Sequence, residues 1–197
     1  MGNPERYLYE VGATNAIRIL LRYIEGLESS EREGLQETPA RVMKAYQEWF
    51  SGYGVDPADL IKSFRDGAEH MDESSMVVQC GIPFYSHCEH HMAPFFGVVH
   101  IGYIPNGTIL GLSKFKRLVD VFSRRLQVQE RLQNQIASAL MEALDPRGVA
   151  VIVEARHMCM ESRGVNTSGT VTKTMAIRGV FTELAVRNEF LQHVDRG

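Results

Sequence analysis

The sequence is short of cysteine, and it has no long apolar run, no excess of basic residues, no internal repeat and no low-complexity segment. Its three cysteines, Cys80, Cys88 and Cys159, are an odd number without disulfide-framework spacing. That excludes a small disulfide-stapled scaffold and fits a reducing compartment. No stretch approaches the roughly 20 apolar residues of a membrane span, and residues 1–6 lead into no signal-type apolar block. A soluble cytoplasmic protein is therefore expected. A formal charge of −3 and a pI near 6.2 give no reason to expect nucleic acid or an anionic membrane as partner, so any basic site must be local. The 197 residues suffice for one domain with a proper core and an extra helical segment.

What is present is concentrated. Ser86-His87-Cys88-Glu89-His90-His91-Met92 packs a thiol, a carboxylate and three imidazoles into a few consecutive positions. The C-x-x-H spacing of Cys88 and His91 lets a turn aim two soft ligands at one zinc ion, whereas the adjacent side chain of His90 tends to diverge and is free for chemistry. Taken alone, such a motif is more often a histidine-rich surface loop. A second cluster changes the balance: the β-branched run from Gly148 enters Arg156-His157-Met158-Cys159 and reads as a strand over 149–159. In a strand His157 and Cys159 share a face, about 7 Å apart. One of them, the cysteine, could complete the metal site while the histidine stands beside it unliganded.

The remainder reads as alternating helices and strands. Ile17, Leu20, Leu21 and Ile24 predict an amphipathic helix stopped by Gly26. Thr38-Pro39 supplies a cap and an N1 proline for a helix burying Val42, Met43, Tyr46 and Phe50, and Asp56-Pro57 repeats the signal for a short helix to about Phe64. Residues 65–75 read as charged loop. Strands follow over 76–85 and 95–104, expected as antiparallel neighbours. Ser113 caps a helix carrying Phe115, Leu118, Val119 and Phe122, and a longer one carries Val128, Leu132, Ile136, Leu140 and Ala143. Asp145-Pro146-Arg147-Gly148 stops it. The strands over 149–159 and 170–177 and a terminal helix over 184–194 complete an α+β pattern of order ββααββ.

Five motifs carry a resemblance. Glu37-Thr38-Pro39-Ala40-Arg41 and Gly179-Val180-Phe181 bound a region in which Cys88-Glu89-His90-His91, Gly111-Leu112-Ser113-Lys114, Gln127-Val128-Gln129-Glu130-Arg131-Leu132, His157-Met158-Cys159 and Arg163-Gly164 stand in the order and spacing of GTP cyclohydrolase I. The chain resembles that family over nearly its whole length. The resemblance implies the tunnelling fold, a ββααββ antiparallel sheet with helices on one face, over 71–197, preceded by an N-terminal helical region over 1–70. It also implies a homodecamer of two pentamers and the conversion of GTP and water to formate and 7,8-dihydroneopterin triphosphate, the first step of pterin and tetrahydrofolate biosynthesis.

By the same resemblance Cys88, His91 and Cys159 hold Zn2+ with a fourth position open, His157 protonates N7 of the guanine as its imidazole ring opens, and His90 assists proton movement. Glu130 accepts the N1–H and 2-amino donors that adenine lacks, with Gln129 beside it among the substrate-binding residues. Ser113 serves the later ribose rearrangement or simply caps its helix. Arg41, Lys44, Lys114, Arg117 and Arg163 face the triphosphate, where guanidinium groups supply bidentate contacts. Glu89 is expected to orient the metal loop through hydrogen bonds. Two alternatives stand beside this reading: an inactive zinc-stabilised ring scaffold, which has no need of His90, His157 and Glu130, and a tunnelling-fold relative acting on another pterin.

Overall fold

The computed structural model describes residues 4–65, 67, 71 and 75–196. The chain divides into two compact units, Met1–Phe50 and Ser51–Gly197. The first holds α1 (Pro4–Glu25), α2 (Glu33–Gln36) and α3 (Thr38–Trp49), with α1 packed on α3. Gly26, at φ 78°, ends α1 as expected. Only part of the expected apolar stripe is covered. Ile17 and Leu21 are half-buried, whereas Leu20 and Ile24 are exposed together with Ile19 and Tyr23. Thr38 is not the cap of α3. The preceding Glu37 is already in helical geometry, and the Thr38 hydroxyl donates back to the carbonyl of Gly34 at 3.4 Å. Because α2 runs almost directly into α3, no extended residue is left to carry a cap.

The second unit opens with a 3-10 turn (Ser51–Gly54) and then α4 (Pro57–Leu60), capped by the Asp56 carboxylate, which accepts from the N–H of Ala58 at 2.9 Å. It stops short of the expected Phe64, because Ser63–Phe64 forms β1 and pairs with β4 (Ile109–Leu110). The expected loop over 65–75 lies largely outside the described residues. There follow β2 (Val77–Cys88), β3 (Pro94–Ile104), α5 (Ser113–Ser123), β5 (Leu126–Gln127), α6 (Gln129–Leu144), β6 (Gly148–His157), α7 (Met158–Glu161), β7 (Thr172–Gly179) and α8 (Leu184–Arg196). The main sheet has the order β5-β2-β3-β6-β7, antiparallel throughout except for the short parallel pairing of β5 with β2. This is the ββααββ arrangement of the sequence reading, with α5 and α6 together on one face.

That face is the main core. Ile82, Phe84, Phe95, Val99, Ile101, Tyr103, Val149, Val151 and Val153 meet Phe115, Leu118, Leu132, Ile136 and Leu140. On the opposite face α8 brings Phe190 and Leu191 against Ile104, Ala150 and Ile152. β6 is thus buried on both sides, which is why its sequence is continuously apolar rather than alternating. β2 faces the same core through Val77 before, and Ile82 after, a register shift between Gln79 and Ile82 at which Gly81 takes φ 68°. The bulge reverses the alternation, and from there Phe84, Ser86 and Cys88 all point inward.

Four local expectations are corrected. Leu112, in helical geometry, precedes α5, and Ser113 makes no capping hydrogen bond. On α6 the buried stripe continues by fours from Leu140 to Leu144 while Ala143 is exposed; the left-handed Asp145 (φ 45°) then ends the helix. β7 begins and ends two residues later than expected. Most consequential, β6 ends at His157 and the chain turns into α7, so Cys159 is a helical residue and does not share a strand face with His157.

His100 on β3 is buried, accepts the N–H of Gly81 at its Nδ1 (3.4 Å), and its Nε2 has no partner among the described residues. Burial holds its pKa below the ordinary 6.5, against a smaller opposing effect of Glu154, and burial does the same to His87. The unfolded chain therefore takes up protons that the folded chain refuses. The stability that depends on these two imidazoles staying neutral is full above about pH 6.5 and falls as pH drops below it. His100→Gln, which cannot titrate there, should show a shallower acid-side loss of urea-unfolding stability than the parent.

Candidate active site

The turn between β2 and β3 makes the Cys-x-x-His spacing converge. The N–H groups of His91 and Met92 both donate to the carbonyl of Cys88, at 3.3 and 2.8 Å, while the N–H of Cys88 donates to Ala93 at 2.9 Å. Met92 closes the turn at φ 52°. The wrapped backbone sets Cys88 Sγ 3.9 Å from His91 Nδ1 and 3.6 Å from His90 Nδ1. The rings of His90 and His91 lie at 70° to each other, yet the two side chains do not diverge as expected, since both Nδ1 atoms stay beside the Cys88 thiol. α7 supplies the third group. The ligand atoms of Cys88, His91 and Cys159 lie within 4.8 Å of one another.

This set could hold a metal ion, and two thiols with an imidazole suit zinc. A tetrahedral ion about 2.3 Å from sulfur and 2.0 Å from nitrogen spaces its ligand atoms roughly 3.5–4 Å apart, so a small inward movement is enough. The three donors span a gradient of exposure, with Cys88 buried, Cys159 half-buried and His91 exposed. Burial pushes the Cys159 thiol above its ordinary pKa, and the neighbouring Cys88 adds to the shift while Arg163 opposes it. Arg163 reaches the same place from the far side, its Nη1 3.4 Å from His91 Nε2.

His157 is built into the sheet next to this cluster. The β3–β6 register places it opposite Phe95, and the two rings stack with centroids 4.8 Å apart and planes 2° from parallel. Its Nε2 lies 2.8 Å from the amide oxygen of Gln129. Burial lowers its pKa, with the carboxylates of Glu130 and Glu161 pulling the other way. The start of α6 thus sends consecutive residues in opposite directions, Gln129 into the interior and Glu130 to the surface near His157. Glu89 ties the turn to the same helix. Its carboxylate makes a two-pronged ion pair with Arg131, one contact at 3.1 Å, and its N–H donates to the carbonyl of Gln127 at 3.0 Å.

Cys88, His90, His91, Gln129, Glu130, His157, Cys159 and Arg163 therefore occupy adjoining positions. Ser113, Lys114 and Arg117 stand on the first turns of α5, with Ser113 and Arg117 exposed and Lys114 half-buried. Arg41 and Lys44 are exposed on α3 in the N-terminal unit, where Arg41 pairs with Glu37 at 2.5 Å. The sequence reading missed the stacking of Phe95 on His157, the bond from Gln129 to His157 and the pairing of Arg131 with Glu89. Each depends on strand or helix register, and only the Phe95-Phe96 start of a predicted strand hinted at the first.

The family model described as GTP cyclohydrolase I matches residues 13–195. A protein of Janthinobacterium sp. (strain Marseille) named GTP cyclohydrolase 1 is 58% identical over 165 residues, 83% of this chain and 82% of that protein. A protein of the same name from Nitrosospira multiformis is 54% identical over 165 residues, covering 83% and 85%. One from Streptomyces coelicolor is 50% identical over 182 residues, covering 91% and 88%.

Removing a ligand should remove the metal. Cys88→Ser and Cys159→Ser should fail to retain added zinc through gel filtration. Cys80→Ser should retain it, because Cys80 lies elsewhere on β2 with its Sγ 3.8 Å from the carbonyl of His193. Since a metal must displace a proton from the raised Cys159 thiol, zinc affinity should weaken as pH falls.

Proposed function

Because the chain belongs to the GTP cyclohydrolase I family and is an enzyme, we propose that it converts GTP and water to formate and 7,8-dihydroneopterin triphosphate with one zinc ion per chain, held by Cys88, His91 and Cys159. The observation that carries this reading is the convergence of those three side chains beside His157 and His90, two imidazoles that a merely structural metal site would not require. When bound there, the ion supplies Lewis-acid chemistry that activates water for addition to the purine. Everything else falls to the chain itself.

His157 delivers a proton to N7 of the guanine as the imidazole ring opens, and His90, on the exposed turn, moves protons during release of formate. Glu130 recognises guanine by accepting from N1–H and the 2-amino group. Its position near His157 suits a purine lying between base recognition and proton transfer. Gln129 belongs to the same part of the pocket. Arg163, Lys114 and Arg117 bind the triphosphate, and Ser113 serves the later ribose step. In a chain of net charge −3, four phosphate charges demand a local concentration of cations.

Arg41 and Lys44 complete the phosphate site from a different copy of the chain, in a homodecamer of two pentamers. Support for assembly comes from α1, which leaves Leu8, Ile19, Leu20, Tyr23 and Ile24 exposed along one helix, more apolar surface than a lone surface helix ordinarily shows. The site is held by free thiols, in keeping with a cytoplasmic enzyme. No helix among the described residues is long and apolar enough to cross a membrane.

The direct test is to incubate the zinc-loaded protein with GTP and measure formate together with a pterin that fluoresces after oxidation. His157→Ala should bind GTP nearly normally and turn over about 100-fold or more slowly, whereas Glu130→Ala should lose discrimination of GTP from ATP in binding. Wild-type turnover in His157→Ala would remove the acid role.

A further inference from the structure

Gln129 is 2% exposed, and both ends of its amide are engaged. Its Nε2 lies 2.9 Å from the carbonyl oxygen of Val153, 2.9 Å from that of Thr172 and 3.1 Å from Thr174 Oγ1. Two of these partners are carbonyl oxygens, which can only accept, so the amide nitrogen must be the atom that faces them. A flipped amide would set oxygen against oxygen at both. The amide oxygen is thereby committed to the other direction, where it meets His157 Nε2 at 2.8 Å. An amide oxygen can only accept as well, so the hydrogen in that contact belongs to His157 Nε2.

Stacking on the fully buried Phe95, with planes 2° from parallel, fixes the plane of the ring. Of the two ring orientations in that plane, the one observed turns Nε2 toward Gln129 and gives the buried amide oxygen a donor, whereas the flipped ring would set a carbon there. The acceptors that orient Gln129 come from two paired strands, Val153 on β6 and Thr172 and Thr174 on β7, so the arrangement is tied to the sheet rather than to a loop.

We propose that Gln129 is a positioning residue that holds His157 as the Nε2–H tautomer, leaving Nδ1 as the nitrogen through which His157 exchanges a proton with the purine. The second half rests on the reaction proposed above. Nδ1 first takes up a proton from water, giving the imidazolium; that proton then passes to N7 of the guanine, the electron pair of the broken N–H bond returns to Nδ1, and the Nε2–H bond to Gln129 is unbroken throughout. Gln129 then acts through His157 and does not itself hold the substrate with its side chain.

The test begins with the tautomer. Protein as purified, carrying 15N-labelled histidine, is examined by solid-state NMR at alkaline pH, where the imidazole is neutral, with His157→Gln used to assign the signals by difference. The expected spectrum shows His157 Nε2 protonated and Nδ1 unprotonated; the reverse overturns the proposal. The second arm is Gln129→Met, of similar size and without the amide. It should show a mixture of both His157 tautomers and a kcat for formate release lowered about 10- to 100-fold, with KM for GTP little changed. A raised KM with unchanged kcat would make Gln129 a substrate contact and overturn the positioning role. Should Gln129→Met not fold, the parent's tautomer still decides. Because that tautomer is read without GTP, a protein that shows Nε2–H yet releases no formate refutes the proposed reaction alone, and one that releases formate with the reversed tautomer refutes the role of Gln129 alone.

Discussion

The pairing of β3 with β6 is the constraint on which the rest of the site depends. Its register runs unbroken from Ile104 opposite Gly148 to Phe95 opposite His157, so the end of β6 is delivered to the start of β3, next to the turn that follows Cys88. A slip of one residue would turn His157 to the other face of the sheet and separate it from Gln129 and Phe95. The pairing is itself held by a close approach: a Cβ on Gly97 would lie 1.9 Å from the carbonyl oxygen of Glu154. Val149, Val151 and Val153 on one side of β6 and Ala150 and Ile152 on the other then bury the strand from both faces. Hydrophobic burial, which is not directional, supplies the stability. The hydrogen-bonded ladder supplies the precision with which reactive groups meet.

Within that frame the site separates two tasks by depth. The deeper groups, Cys88, Gln129 and His157, are fixed by the sheet and by α6, whereas His90, His91, Glu130 and Arg163 lie toward solvent, where a substrate can reach them. Burial raises the Cys159 thiol and lowers the His157 imidazole. In both cases the uncharged form is favoured, as desolvation requires.

Much of this was legible in the sequence where the signal was local. The C-x-x-H spacing needs only one turn to converge, and the turn formed as the residues suggested. The sequence of strands and of α5 and α6 along the chain followed from periodicity, β-branched composition and the Pro- and Gly-containing stops. Legibility failed where a local signal competed with a neighbour or where tertiary register decided. Thr38 lost its cap because α2 abuts α3. The strand through 149–159 stopped at His157, although the last β-branched residue is Val153, and Arg156 pairs with Glu161 across the turn that follows (2.9 and 2.6 Å). Cys159 reaches Cys88 and His91 by a helical turn instead of a strand face, so the three side chains come within 4.8 Å of one another on a backbone other than the one expected. The bond between Gln129 and His157 was not readable at all, since it requires the alignment of β6 with β7 and the start of α6 together.

The central claim is that two elements far apart in sequence, the turn after β2 and α7 after β6, supply one metal centre of mixed sulfur and nitrogen ligands. X-ray absorption at the zinc edge of the loaded protein tests it most directly. The account predicts a four-coordinate ion with two sulfurs at about 2.3 Å and one imidazole nitrogen at about 2.0 Å, the fourth ligand being a light atom. A shell containing one sulfur or none would contradict it.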